Sequence, residues 1–159
     1  MRSGRIVYTN DLPVYYGIDA GEIEYPGTLH ADVPAELNAA LLRGDLDLSP
    51  ISAFTYLRHA EELVLLPELC IASHGDVVSV VLVSPRPPEA LDGETILLSS
   101  ESASGANLLR VLLKRRYHVN ATFVESSDAL EAAIERRMPA LIIGDGAVQA
   151  RIAVDSCLL

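Results

Sequence analysis

The chain is predicted to be an α/β protein of two lobes, and three observations carry that reading. Short apolar runs alternate with helix-length patterns along the whole chain. Alternation of this kind builds βαβ units around a mainly parallel sheet. Half of the 159 residues are hydrophobic and only 21% are charged, far too apolar for a disordered acidic segment. Finally, the alternation is broken once, at Ser84-Pro85-Arg86-Pro87-Pro88, where three prolines in four positions exclude both a helix interior and a central strand.

Taken in order, Arg5 to Tyr8 is an apolar first strand, and Pro13 suits the first turn of a short helix. Pro34 opens a second helix that runs to Arg43 with Ala35, Leu37, Leu41 and Leu42 as its apolar positions, and Gly44 stops it. Leu46 to Ser49 reads as a strand and Ser52 to His59 as a helix. Val64 to Leu66, Leu69 to Ser73 and Val77 to Ser84 read as extended segments. After the proline run the expected elements are a strand at Thr95 to Leu98, a strong helix at Ser104 to Tyr117 and a strand at Ala121 to Val124. A helix at Asp128 to Arg137 and a buried strand at Ala140 to Ile143 complete the set. Asp128 and Glu131 have capping-box spacing. The expected division is a first lobe at 1–84, a junction at 85–88 and a second lobe at 89–159.

Charge and cysteine content exclude several functions. Twelve Lys and Arg against 22 Asp and Glu leave a net charge of −10, which disfavours a nucleic-acid partner. No apolar stretch is long enough to span a bilayer. The apolar run after Met1-Arg2-Ser3-Gly4-Arg5 is too short for a signal peptide, so a cytoplasmic location is expected. Cys70 and Cys157 show no metal or redox spacing, and Cys70, in Leu69-Cys70-Ile71-Ala72, reads as a buried free thiol. His30, His59, His74 and His118 lack metal-ligand spacing. His59 and His118 read as helix-end residues.

In open α/β sheets, ligands bind beyond the carboxyl ends of the strands. The residues there are Tyr8 to Asp11, Ser49 to Ser52, Ser99 to Gly105 and Gly144 to Gly146. They are rich in hydroxyls, amides and glycine. Hydroxyls and free N–H groups at helix starts hold an anion without a formal positive charge. The segment Ser99-Ser100-Glu101-Ser102-Ala103-Ser104 is the strongest case, and an ordinary helix cap explains the same serines. Asp11, Glu101 and Asp145 are candidate acids or bases, or equally caps and turn residues. No phosphate-loop, GxGxxG or GxSxG pattern occurs.

Tyr8-Thr9-Asn10-Asp11-Leu12-Pro13-Val14-Tyr15-Tyr16-Gly17 resembles the YxNxLPxxYG opening of the chorismate dehydratases of the futalosine route to menaquinone. The resemblance continues through Val33 to Asn38, Gly44 to Ser52, Tyr56 to His59, Leu65 to Pro67 and Val78 to Val80. It then takes in Leu98 to Ser104 and Leu141 to Asp145. The SPCPND-like opening of the sister enzyme, 1,4-dihydroxy-6-naphthoate synthase, is missing. The resemblance implies a fold similar to the type 2 periplasmic binding proteins, two α/β lobes with the ligand in their cleft. It implies loss of water from chorismate to give 3-[(1-carboxyvinyl)oxy]benzoate, with no metal or redox cofactor. Asn10 and Ser79 match the family's active-site Asn and Ser. Ser52, Ser99, Ser100, Ser102, Ser104 and Asp145 are the expected substrate-binding residues. A substrate carboxylate is the expected base, with Asp145 or Glu101 as the rival. The alternatives are a small-anion binding module of the same fold and an inactive shortened form. Family members are longer, so the fold is expected to be incomplete. The return crossing and the C-terminal part would be absent, and apolar surface would be left open to self-association.

Overall fold

The computed structural model describes residues 1–153. The tail from Val154 to Leu159, with Cys157, lies outside the described residues. The chain divides into two compact units, Met1 to Ala72 (unit 1) and Ser73 onward (unit 2).

Unit 1 is built on two parallel strands, β1 (Arg2–Ile6) and β2 (Thr28–Asp32), in register from Arg2 opposite Thr28 to Ile6 opposite Asp32. Between them lies α1 (Leu12–Asp19), with Pro13 in its first turn as expected. α2 (Pro34–Leu42) starts at Pro34, and Gly44 follows it in the left-handed conformation that ends such helices. Leu37 of α2 is fully buried and packs over Gly4 of β1. A side chain at Gly4 would run into Ser49 and Leu37, so the close approach of helix and strand requires glycine here.

The strand expected at Leu46 to Ser49 is reduced to one parallel bridge, Ser3 to Leu48. The Gly4 amide donates to the Leu48 carbonyl at 2.8 Å. Its extension is stopped beside it, where the Asp47 carboxylate turns back to accept the Arg2 amide at 2.7 Å and its guanidinium at 2.6 Å. α3 (Ala53–Arg58) follows. Val64 to Leu66 and Leu69 to Ser73, expected to be extended strands, pair with no strand among the described residues.

Unit 2 is a four-stranded sheet in the order β3-β6-β4-β5. Its strands are β3 (Val80–Val83), β4 (Thr95–Ser99), β5 (Thr122–Ser126) and β6 (Ala140–Ile143). β4 runs parallel to β5 and β6, and β3 is antiparallel to β6. Strand alternation sends Val81, Val83, Leu97 and Ile142 to one face, where they meet the alanines of α5 (Ala129–Glu135) and α6 (Asp145–Ala153). Leu82, Ile96, Leu98 and Leu141 face the other way and pack with Leu109 and Leu113 of α4 (Ala103–Arg115). Helices thus cover both faces, the arrangement parallel strands require.

Two sequence expectations are corrected here. The proline run does not separate the two units. β3, just before it, pairs with β6 inside unit 2, so Ser84 to Pro88 connects β3 to β4. The Ser84 hydroxyl pins that connection by donating to the Arg86 carbonyl at 2.7 Å. The chain instead passes between units at Ala72 and Ser73, within a segment without regular structure. Nor does Asp128 cap α5 through its side chain. That carboxylate is taken by the Ser126 hydroxyl and the Arg136 guanidinium.

Candidate functional site

Within unit 1, the end of β1 leads into a single tight turn, Thr9–Asp11, that joins directly to α1. Asn10 stands exposed on this turn. Its neighbour Asp11 is 1% exposed. One Asp11 oxygen accepts the Ile6 amide at 3.0 Å, which ties the turn back to the strand; the other has no hydrogen-bond partner. Burial pushes the Asp11 carboxyl above its ordinary value, against the opposing pull of the Ile6 amide and the Arg5 charge. Arg5 grips Asp19 with two bonds of 2.6 and 2.7 Å and lies over the Tyr15 ring. The Tyr15 hydroxyl donates to the Gly4 carbonyl at 3.0 Å. The Asn10 turn is therefore held from the strand below and the helix above.

Ser52 has a different setting. Its hydroxyl accepts the Thr55 amide at 3.2 Å and lies 2.8 Å from the Thr55 hydroxyl, and its own amide donates to Asn38 at 3.0 Å. It starts α3, the helix-cap role always open for a serine at this point.

Unit 2 gathers most of the other expected residues at one end of its sheet. β4 and β6 both finish there. Because β3 is antiparallel to β6, β3 begins there. Ser79 precedes β3, is half-buried, and accepts the Gly144 amide through its carbonyl at 2.8 Å. Gly144, in the left-handed conformation, turns the chain from β6 into α6, whose first residue is the exposed Asp145. Ser99 closes β4 and is half-buried, and Ser100 is exposed on the turn that follows. Ser102 and Ser104 sit at the start of α4.

Ser102 precedes the first turn of α4 in an extended conformation, yet its hydroxyl caps nothing. That oxygen is buried, on a residue 7% exposed, and unpartnered. Gly105 brings the helix start against the sheet. A Cβ there would lie 2.6 Å from the Ser102 hydroxyl and 2.9 Å from Val80. Sequence reasoning placed Gly105 in the strand-end segment Ser99 to Gly105 without giving it a role of its own, and treated Asp11 only as one strand-end acid among three. The signal for Gly105 was its place in the first turn of a helix that must approach a strand. Nothing local marks Asp11 as buried. His59 contacts Glu62 at 3.0 Å beyond α3, and His118 adopts a left-handed conformation after α4. Among the described residues, no three His, Cys, Asp or Glu side chains gather as metal ligands, and no helix is long and apolar enough to cross a membrane.

Residues 1–156 match the model of a family described as menaquinone biosynthesis. The chain belongs to that family. It is similar to the chorismate dehydratase of Thermus thermophilus, with 35% identity over 152 residues, 92% of this chain and 51% of the Thermus protein. It is also similar in fold to the crystal structure of protein AF1704 from Archaeoglobus fulgidus. There the TM-score is 0.66 at 19% identity, over 93% of this chain and 55% of that one. The chain thus spans about half the length of each of these two proteins.

Proposed function

We propose that the chain acts in the dehydration of chorismate to 3-[(1-carboxyvinyl)oxy]benzoate, within a fold of the two-lobed type 2 periplasmic-binding-protein kind. The observation that carries the proposal is the 35% identity to a chorismate dehydratase, which extends through 92% of the chain and takes in both units. The serine-rich sheet end of unit 2 supports it, since a dicarboxylate needs hydroxyls and helix-start amides more than it needs buried lysines.

The reaction removes a ring proton and the ring hydroxyl. The C–H electron pair becomes part of the new aromatic ring as the C–O bond breaks, and water leaves. Aromatisation drives it, so the protein's work is chiefly to bind and orient. In this proposal Asn10 hydrogen-bonds the departing hydroxyl or the enolpyruvyl carboxylate. Ser79 is assigned an orienting role toward the substrate by the same resemblance. Neither side chain is a base near neutral pH, and the proton passes to a substrate carboxylate. Ser99, Ser100, Ser102, Ser104 and the α4 amides receive carboxylate oxygens. The unpartnered Ser102 hydroxyl is the donor left free for one.

Incubating the 159-residue chain with chorismate and following the benzoate product is the decisive measurement. Asn10→Ala is expected to lower turnover at least a hundredfold while Ser52→Ala, at a helix cap, leaves it within a few-fold. Full turnover by Asn10→Ala would overturn the assignment. Loss on replacing Asp145 or Glu101, with substrate still bound, would move the base to that carboxylate. Chorismate bound but never converted would make the chain a small-anion binding module, the reading that the free Ser102 hydroxyl alone supports equally well.

A further inference from the structure

Among the described residues of unit 1, the large side chains sealed most completely are Leu37 and Asp11. Its buried apolar side chains are Leu37 and Leu46, so a carboxylate makes up a large share of a small interior. A carboxylate taken out of water is costly unless it is paired and hydrogen-bonded. Here one oxygen accepts a single amide, and the other has no partner among the described residues. Arg5, whose charge acts on Asp11, is gripped by Asp19. The Tyr15 hydroxyl is engaged with the Gly4 carbonyl.

The side chain also declines the ordinary work of an aspartate at its position. Asp11 directly precedes α1, where such a carboxylate caps the helix by accepting an amide of the first turn. It makes no such bond. It turns back across the tight turn instead and accepts the Ile6 amide at 3.0 Å. Alternate amides of a strand address opposite neighbours. Val7 donates to Asp32 on the β2 side, and Gly4 donates to Leu48 on the other. Ile6 is the next even-numbered residue after Gly4, so its amide belongs to the Leu48 edge. Asp11 thus stands in for a strand carbonyl where the Ser3–Leu48 bridge has run out. The Asp11 amide donates to the Tyr8 carbonyl at 3.0 Å, and the Leu12 amide to that of Thr9. The loop closed by these bonds contains Asn10, covalently next to the anchoring carboxylate.

We infer that Asp11 is the positioning residue of the Asn10 turn. Its buried carboxylate, bonded to the end of β1, fixes where the Asn10 side chain is presented, without itself touching substrate. The consequence for turnover rests on the dehydratase reading; the consequence for the turn does not. A space-filling role would be met by any small neutral side chain. Anchoring needs an acceptor oxygen, which asparagine keeps and alanine lacks.

The test compares the 159-residue chain with Asp11→Asn and Asp11→Ala. Nitrogen-15 relaxation first reads the Asn10 backbone amide. Its order parameter is expected at about 0.85 in the parent chain and in Asp11→Asn, and below about 0.6 in Asp11→Ala, with Gly4 and Ala31 unchanged. The Ile6 amide shift is expected to follow the titration of Asp11, which burial displaces above the ordinary carboxylate range. Asp11→Asn is expected to remove that step, a reading that stands even where Asp11→Ala does not fold. In chorismate turnover, Asp11→Ala is expected to lower kcat at least about tenfold with little change in KM, and Asp11→Asn to restore most of it. An Asn10 amide as ordered in Asp11→Ala as in the parent would overturn the inference. So would an Ile6 amide without the titration step, or equal kcat for the two variants. A parent chain that never converts chorismate sinks the dehydratase reading alone, since relaxation and titration still decide for or against the anchor.

Discussion

Units 1 and 2 both contain parallel strands with helices placed between them, but they differ in how much they bury. Unit 2 sends alternate residues of four strands to two faces and covers each face with helices. Unit 1 has two strands, one bridge at Leu48, and one helix residue, Leu37, fully sealed over Gly4. Polar contacts make up part of the difference. The Arg2–Asp47 and Arg5–Asp19 pairs, the Tyr15 hydroxyl and the Ser52–Asn38 pair all clip unit 1 together. Contacts of this kind contribute little each when solvent reaches them. Alternating βα sequence therefore suffices to form the elements, but a parallel sheet is stable only once both its faces are covered.

Leucine truncation breaks the comparison most sharply. Leu98, in the β4 layer beneath α4, and Leu37 are both buried to 1% or less. Leu→Ala at such sites costs about 2–5 kcal/mol. In unit 2 many neighbours share the loss, and Leu98→Ala is expected to lower the melting point of a still-folded sheet. Leu37→Ala removes half of the buried apolar side chains of unit 1. It is expected to abolish slow exchange across β1 and β2 while β4 and β6 remain protected. If both substitutions gave the same partial loss, unit 1 would have a core beyond the one described.

The same contrast decides what was legible in the sequence. Unit 2 was read almost element by element, because Leu108 to Leu113 carries a helical period and Ala140 to Ile143 a buried-strand run. Among the described α-helices of unit 2, α6 went unread, its alanines giving little periodic signal. In unit 1, β2 was missed, since Thr28-Leu29-His30-Ala31-Asp32 has neither an apolar run nor β-branched density. Conversely, Val64 to Leu66 and Leu69 to Ser73 have strand composition without a strand, because pairing is a property of the partner and not of the segment. The site follows the same rule. The serines at the end of β4 were visible as strand-end residues. The meeting of Ser79 with Gly144 came from antiparallel pairing between strands sixty residues apart in the chain, which no local pattern encodes.

Acid is expected to weaken unit 1 at its two Arg–Asp pairs, as it weakens unit 2 at Asp128, whose carboxyl the Ser126 hydroxyl and Arg136 also hold below its ordinary value. The Arg2 guanidinium and amide hold the Asp47 carboxyl at about 2 instead of 3.8, and Arg5 lowers Asp19 in the same sense. A lowered carboxyl contributes stability that is complete above its unfolded value and is lost as pH falls through its folded one. For Asp47 the loss runs from about pH 4 to about pH 2. Asp11 has the opposite sign. Its raised carboxyl makes the ionised form a cost at neutral pH, and protonation relieves that cost as pH falls. Asp47→Asn is expected to flatten the acid loss of β1 and β2 amide signals between pH 4 and 2, with β4 and β6 unaffected. Asp11→Asn is expected to leave unit 1 at least as stable at pH 7, and the gain should vanish at low pH. A lower pH 7 stability for Asp11→Asn would mean that its unpartnered oxygen has a cationic partner.

The smallest effect tests the exposed stretch Val64 to Ile71. In sequence, Leu69-Cys70-Ile71-Ala72 has the composition of a core strand, which would bury the thiol and make its replacement costly. In the structure Cys70 is exposed, flanked by the exposed Leu69 and Ile71. Cys70→Ser is therefore expected to change stability by no more than about 0.5 kcal/mol, the range for surface substitutions. The thiol is expected to react with a disulfide reagent in the folded chain at the rate of an unfolded peptide. A thiol already shielded in the chain alone would return Val64 to Ile71 to the core of unit 1. It would also remove the main contrast between the two units.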